Sequence, residues 1–193
     1  MIIAIEGMDG VGKSTCAKSL SKFLNYEYVT TPIQTFFKGG TNNPEFKNSM
    51  NIMYDMSDSV IKSYFIGLGN LVACRNKDNL VLDRHFASNY FWNGTPESDI
   101  VFKHLIEIVG KPDLTVLLKG SVETRLQRLY HRDPNGWDLK DKEKHALGHD
   151  KMEDFLIKFE IPYVAVDTDL MNPTQVFETV KQHVLQLPKG RKR

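Results

Sequence analysis

An apolar run at Met1 to Ile5 gives way to Gly7, Met8, Asp9, Gly10, Val11, Gly12, Lys13 and Ser14, with Thr15 directly after. These residues match G-x-x-x-x-G-K-[ST] without a gap, and the match restricts the available folds more than any other feature of the chain. The run before it reads as a short strand buried on both faces. The residues after it read as a helix, because Ala17, Leu20, Phe23 and Leu24 recur at helical spacing with Lys18 and Lys22 on the other side. Such a loop can wrap a phosphate chain with its backbone N–H groups pointing inward, since glycines leave room where side chains would obstruct. The helix N-terminus adds partial positive charge. Lys13 then reaches the β and γ phosphates, and the Ser14 hydroxyl takes a Mg²⁺ coordination position. A glycine-rich turn joining a strand to a helix is the plainer alternative, and the flanking elements favour nucleotide binding.

Strands and helices alternate along the rest of the chain. Tyr26 to Thr31, Asn79 to His85, Asp113 to Lys119 and Pro162 to Asp167 read as further strands. A polar loop through Lys38, Gly39, Gly40 and Asn43 follows the second strand. Helical patterns cover about 44 to 75, as two helices meeting near Asn51, and then 97–109, 121–132, 141–160 and 172–186. This alternation predicts an α/β fold with a parallel sheet covered on both faces. With 193 residues, 41% of them hydrophobic, and no internal repeat, residues 1–193 are expected to form a single domain.

A net charge of +1 implies no general affinity for nucleic acid. The basic end, Pro188 to Arg193, reads as a solvated terminus. Cys16 and Cys74 are too sparse for a disulfide framework or a zinc site and read as buried small hydrophobes. Without a leader pattern or a long apolar run, no membrane association is expected and a cytoplasmic location is. Among six histidines, His145 and His149 are four residues apart, but no third ligand accompanies them and a solvated helix face is expected.

In open parallel sheets, ligands sit beyond the carboxyl ends of the strands. The third strand exit brings Asp83, Arg84 and His85 together. Asp83 can orient Mg²⁺-bound water or an acceptor group, and Arg84 can clamp a phosphate oxygen. A salt-bridged surface turn is the alternative reading.

EGMDGVGKST, LDRH followed by FASN, and an arginine-bearing helix after the fourth strand together resemble the thymidylate kinase family of P-loop nucleoside monophosphate kinases. The resemblance implies a three-layer P-loop kinase fold with a five-stranded parallel sheet in the order 2-3-1-4-5. It also implies transfer of the γ-phosphoryl of ATP to dTMP with Mg²⁺, and a homodimer formed through helices beside the third strand. By the same resemblance, Gly7 and Asp9 to Thr15 bind the nucleotide, Asp9 also contacts the acceptor sugar, and Arg84 holds the acceptor phosphate. Asn89 then contacts the acceptor base, Trp92 lies near the sugar, and a lid spans about 123–140. Arg125, Arg128 and Arg132 recur at helical spacing there, and Arg128 and Arg132 are the favoured catalytic pair because Met8 to Val11 carry no basic residue.

The chain departs from the family pattern at two places. Thr30, Thr31, Pro32, Ile33 and Gln34 stand where an arginine-containing segment is usual, and Ser59 to Tyr64 contain no arginine to read a thymine edge. The acceptor therefore stays open between dTMP, another deoxynucleoside monophosphate, a deoxynucleoside and another small molecule. A deoxynucleoside kinase would need a general base that a phosphate acceptor does not. A nucleotide-dependent switch is disfavoured, since neither a D-x-x-G strand end nor an N-K-x-D base reader appears.

Overall fold

The computed structural model describes residues 1–30, 32–37, 43–135, 139 and 148–188. Thr31, residues 38–42, residues 136–138 and 140–147, which include His145 and part of the expected lid, and the basic end from 189 lie outside the described residues. The elements in order are β1 (Ile2–Gly7), α1 (Lys13–Leu24), β2 (Glu27–Thr30), a 3₁₀ turn (Pro32–Phe36), α2 (Pro44–Asp55) and α3 (Ser59–Cys74). They continue with β3 (Leu80–Asp83), α4 (Phe86–Asn93), α5 (Asp99–Val109), β4 (Leu114–Lys119) and α6 (Val122–Arg132). The last are α7 (Asp150–Lys158), β5 (Tyr163–Asp167) and α8 (Pro173–Leu185).

The strands form one parallel sheet in the order β2-β3-β1-β4-β5, as the resemblance implied. Alternation along each strand sorts its side chains between two cores. Ile2, Leu80, Leu82 and Leu117 face a cluster completed by Phe86, Tyr90, Phe102 and Phe155 of α4, α5 and α7. Ile3, Ile5, Val81, Val116 and Leu118 face the opposite cluster with Ala17 and Leu20 of α1 and Val176, Val180 and Val184 of α8. Burial on both faces is why these strands read as continuous apolar runs. Both cysteines are buried, and burial pushes the Cys16 thiol up to about 12, so it behaves as a small hydrophobe.

Two sequence expectations are corrected. The break in the helical stretch before β3 falls at 56–58, not near Asn51: Met56 closes α2, and the Asp58 side chain caps α3 by accepting from Ile61 N at 2.9 Å. Helix α4 was not anticipated, because nearly all of its eight residues are buried and they carry no amphipathic stripe to read.

The strand register aligns the functional ends. Asp83 pairs with Ile5 on one side and with Thr30 on the other, and Gly7 pairs with Leu118. The β1–α1 loop, the β2 exit and the β3 exit therefore open on the same edge of the sheet. Among the described residues no helix is long and apolar enough to cross a membrane.

Candidate active site

The β1–α1 loop is shaped by how closely its neighbours approach. Gly7 has φ 138°, and a Cβ there would stand 2.3 Å from the Leu118 carbonyl oxygen. Gly10 has φ 88°, and a Cβ there would stand 2.6 Å from the Arg125 carbonyl oxygen. The loop thus lies flat against β4 and α6, at positions that only glycine fills without strain. Gly12, at φ 96°, opens α1, whose first turn carries Lys13, Ser14 and Thr15.

A cleft of about 780 Å³ lies along this loop from Asp9 to Cys16. Thr30 and Gln34 bound it on the β2 side, and Asp83 and Arg84 at the β3 exit. Arg128, Leu129 and Arg132 of α6 and Met171, Pro173 and Val176 around the start of α8 complete the wall. One end is therefore rich in charge and the other largely apolar, a shape suited to a ligand with a polyphosphate and a flat base.

The charged end is organised around Asp9. Its Oδ1 accepts from Lys13 Nζ at 3.4 Å and pairs with Arg84 Nη2, while Lys13 also donates to the Met8 carbonyl at 2.8 Å. Burial alone would raise the Asp9 pKa, but the Arg84 and Lys13 cations outweigh it and hold the carboxyl well below the usual carboxylate range. Burial pushes the Lys13 ammonium down to about 8, with the Arg84 guanidinium adding to the effect against the pull of Asp9 and Asp83. The site holds two cations on one carboxylate, and an incoming phosphate would compete for both.

Arg84 is presented by a backbone at φ 79°, a region costly for a residue with a side chain. Glu6 maintains it. This wholly buried carboxylate at the end of β1 accepts from His85 N at 2.9 Å, from Ser88 N at 3.1 Å and from the Ser88 hydroxyl. Burial raises its pKa despite those hydrogen bonds. Glu6 thus satisfies the amides at the start of α4 and ties the Arg84 turn to the phosphate-loop strand. Sequence reading passed over Glu6, because a carboxylate inside an apolar strand shows its purpose only when its partners, 79 and 82 positions away, are seen.

Asp83 is buried, its Oδ2 accepts from the Tyr28 hydroxyl at 3.0 Å, and its Oδ1 has no hydrogen-bond partner among the described residues. A buried carboxylate oxygen left open beside the phosphate loop, with the Ser14 hydroxyl on the same cleft wall, fits a small hard divalent cation.

The arginines of α6 diverge. Arg128 lines the cleft and donates to the Thr168 hydroxyl at 3.0 Å and the Thr168 carbonyl at 2.7 Å, which braces the β5–α8 loop. Arg132 lines the cleft at the exposed end of the helix. Arg125 is buried, with its Nε on the Gly120 carbonyl at 3.1 Å, and is not part of the cleft wall.

Asn89 and Trp92 are not brought to the cleft. The Asn89 amide nitrogen donates to the Ser63 carbonyl at 3.0 Å, and its oxygen accepts from Asn93 at 3.0 Å, which closes the α3–α4 seam. Trp92 packs on the α4-side core, edge to face with Phe91. Neither residue lines the cleft along the phosphate loop, and Trp92 is half-buried beside Phe91. His149 also differs from expectation. It is buried, with its Nε2 3.1 Å from both the amide nitrogen and the carbonyl oxygen of Gly120, so it anchors the start of α7 against the β4 exit and does not lie on a solvated face; burial lowers its pKa. Thr30, Gln34 and the apolar trio at α8 join the cleft although no motif marked them as ligand contacts.

Known proteins agree with this architecture. The chain is 32% identical over 142 residues to a thymidylate kinase of Neorickettsia sennetsu, covering 66% of this chain and 70% of that protein. It is 26% identical over 152 residues to a probable thymidylate kinase of Metallosphaera sedula, covering 76% and 74%. The fold matches the solved deoxyadenosine kinase from M. mycoides with bound dCTP at a TM-score of 0.61, with 24% identity and coverage of 96% and 99%. It matches the thymidylate kinase from Candida albicans at 0.66, with 18% identity and coverage of 95% and 90%. Residues 5–179 match the family model described as thymidylate kinase, and with that span the chain belongs to the thymidylate kinase family of nucleotide kinases.

Proposed function

We propose that this protein transfers the γ-phosphoryl of ATP to a deoxynucleoside monophosphate, dTMP foremost, giving ADP and the deoxynucleoside diphosphate. The observation that carries this reading is the Asp9 junction. Lys13, on the donor's loop, and Arg84, at the exit that would face an acceptor phosphate, share one carboxylate in one cleft. Two phosphates arriving from opposite sides would meet between these cations.

In the reaction, an oxygen of the acceptor phosphate bonds to the γ phosphorus as the bond from that phosphorus to the β–γ bridging oxygen breaks. The acceptor phosphate is already ionised at neutral pH, so no protein base is required. The loop amides and Lys13 hold the β and γ phosphates, Arg84 fixes the acceptor, and Arg128 and Arg132 add positive charge from α6. Asp83 and Ser14 would hold Mg²⁺, which supplies charge neutralisation to the phosphate oxygens. Met171, Pro173 and Val176 offer the apolar wall for the donor base. Catalysis is then positioning and electrostatics.

A deoxynucleoside kinase is the second reading: Thr30 and Gln34 on the β2 side of the cleft offer no cation to clamp an acceptor phosphate, though they also offer no carboxylate to act as the base such a kinase needs. Release of ADP from Mg-ATP, measured with dTMP, thymidine, the other deoxynucleoside monophosphates and no acceptor, separates the two. Stimulation by dTMP and not thymidine is expected; the reverse overturns the monophosphate reading.

For the oligomer, we assign the exposed α3 stripe of Ile61, Tyr64, Leu68 and Val72, with Ile100 and Ile108 of α5, to contact with a second copy across a two-fold axis. Leu68→Glu should shift light-scattering mass from dimer to monomer; a monomeric wild type overturns the assignment.

A further inference from the structure

Tyr28 sits on the edge strand β2, two residues before the strand end that pairs with Asp83. Its hydroxyl donates to Asp83 Oδ2 at 3.0 Å, and the side chains of Ser14 and Thr30 lie within its hydrogen-bonding reach. It therefore touches the carboxylate that would hold the divalent cation. A phenol keeps its proton at neutral pH, so the hydroxyl is the donor of this bond. Lys18 Nζ stands 5.7 Å from the ring centroid, which fixes the ring from the α1 side.

A carboxylate free at both oxygens beside Arg84 and Lys13 could turn toward either cation and be lost to the metal. With Oδ2 tethered, Oδ1 is left as the open, buried oxygen. We propose that Tyr28 is a positioning residue for the divalent cation, anchoring one oxygen of Asp83 so that the other oxygen is presented for ligation. This rests on the Mg-ATP reading above.

The test is Mn²⁺ binding to the whole protein in the presence of ADP, read from the loss of the free-ion electron paramagnetic resonance signal. Partners that orient metal ligands are worth about 10–100-fold in affinity, and Tyr28→Phe should fall at the lower end, about 10-fold weaker for Mn²⁺. Its affinity for ADP without metal should stay as in wild type, as should its melting temperature within a few degrees. Asp83→Asn should lose more, and the double variant Tyr28→Phe with Asp83→Asn should lose no more than Asp83→Asn alone. Unchanged Mn²⁺ affinity in Tyr28→Phe, additive losses in the double variant, or equal loss of metal-free ADP binding each overturn the proposal. No Mn²⁺–ADP binding by the wild type, or none of it lost in Asp83→Asn, would instead overturn the metal reading on which it rests. Should Tyr28→Phe fold poorly, Tyr28→Leu, which keeps apolar bulk and has no side-chain donor, gives the same comparison.

Discussion

The strand exits and helix α6 both supply cations to the cleft, and they hold them differently. Lys13 and Arg84 are locked on Asp9, a carboxylate whose charge is maintained by the very cations it binds. Arg128 leans on the neutral hydroxyl and carbonyl of Thr168, and Arg132 lies at the exposed helix end. A cation on a carboxylate is preorganised but must be released to serve a phosphate. One hydrogen-bonded to neutral oxygens gives up less when it turns to the ligand, although Asp169 in the same loop also attracts Arg128. Under the proposed function, the strand side would serve binding and alignment, and the α6 side would supply charge that is needed most in the transition state.

The sharpest way to break this contrast is at Lys13. Lys13→Ala should lower kcat about 1000-fold, as removal of a transition-state donor does, with the fold intact by circular dichroism. Full retained activity would sink the phosphate-loop assignment.

Arg132→Ala should lower kcat by about 100-fold, below the range of a dedicated arginine finger, because Arg128 stays in place. Its KM for ATP should hardly move. Arg128→Ala should raise that KM as well, since the Thr168 brace goes with it. Identical profiles for the two variants would erase the division of labour within α6.

Glu6→Gln acts on the strand side without touching a ligand. A glutamine places an amide donor among the donors of His85 and Ser88, so stability should fall by about 1–3 kcal/mol in urea denaturation. The KM for the acceptor should rise more than that for ATP, because Arg84 and not Lys13 loses its support. Equal rises would mean that Glu6 serves the fold alone.

The smallest effect is a proton. With the Lys13 pKa at about 8 in the free protein against an ordinary 10.5, a bound phosphate should draw it back upward. Binding of ATP near pH 8.5 should then take up a fraction of a proton, seen as buffer-dependent heats in calorimetry and absent in Lys13→Met. The stability sign follows from the same shift. Between pH 8 and 10.5 the unfolded chain binds more protons at this group, so its contribution to stability rises with pH there. Asp9 is the mirror case: its lowered pKa gives stability that is present above the ordinary value of 3.8 and lost as pH falls below it.

Much of this was written locally. The spacing of Gly7, Gly12, Lys13 and Ser14, the apolar strands, and Asp83 with Arg84 at a strand exit depend on neighbours within a turn or two, so the sequence alone determined them. The strand order came with the family resemblance, since nothing in an isolated strand states which strand it will pair with. The break between α2 and α3 was misplaced because a cap, not the apolar periodicity, decides it. What the tertiary structure alone decided are the contacts of distant residues. Tyr28 meets Asp83 across 55 positions, Glu6 meets Ser88 across 82, and His149 meets Gly120 across 29. A tyrosine in an edge strand, a glutamate in a buried one and a histidine before a helix each have many possible partners in the chain. Packing against the sheet selects one, because a polar group shut away from water must find its hydrogen bond where the fold has put it.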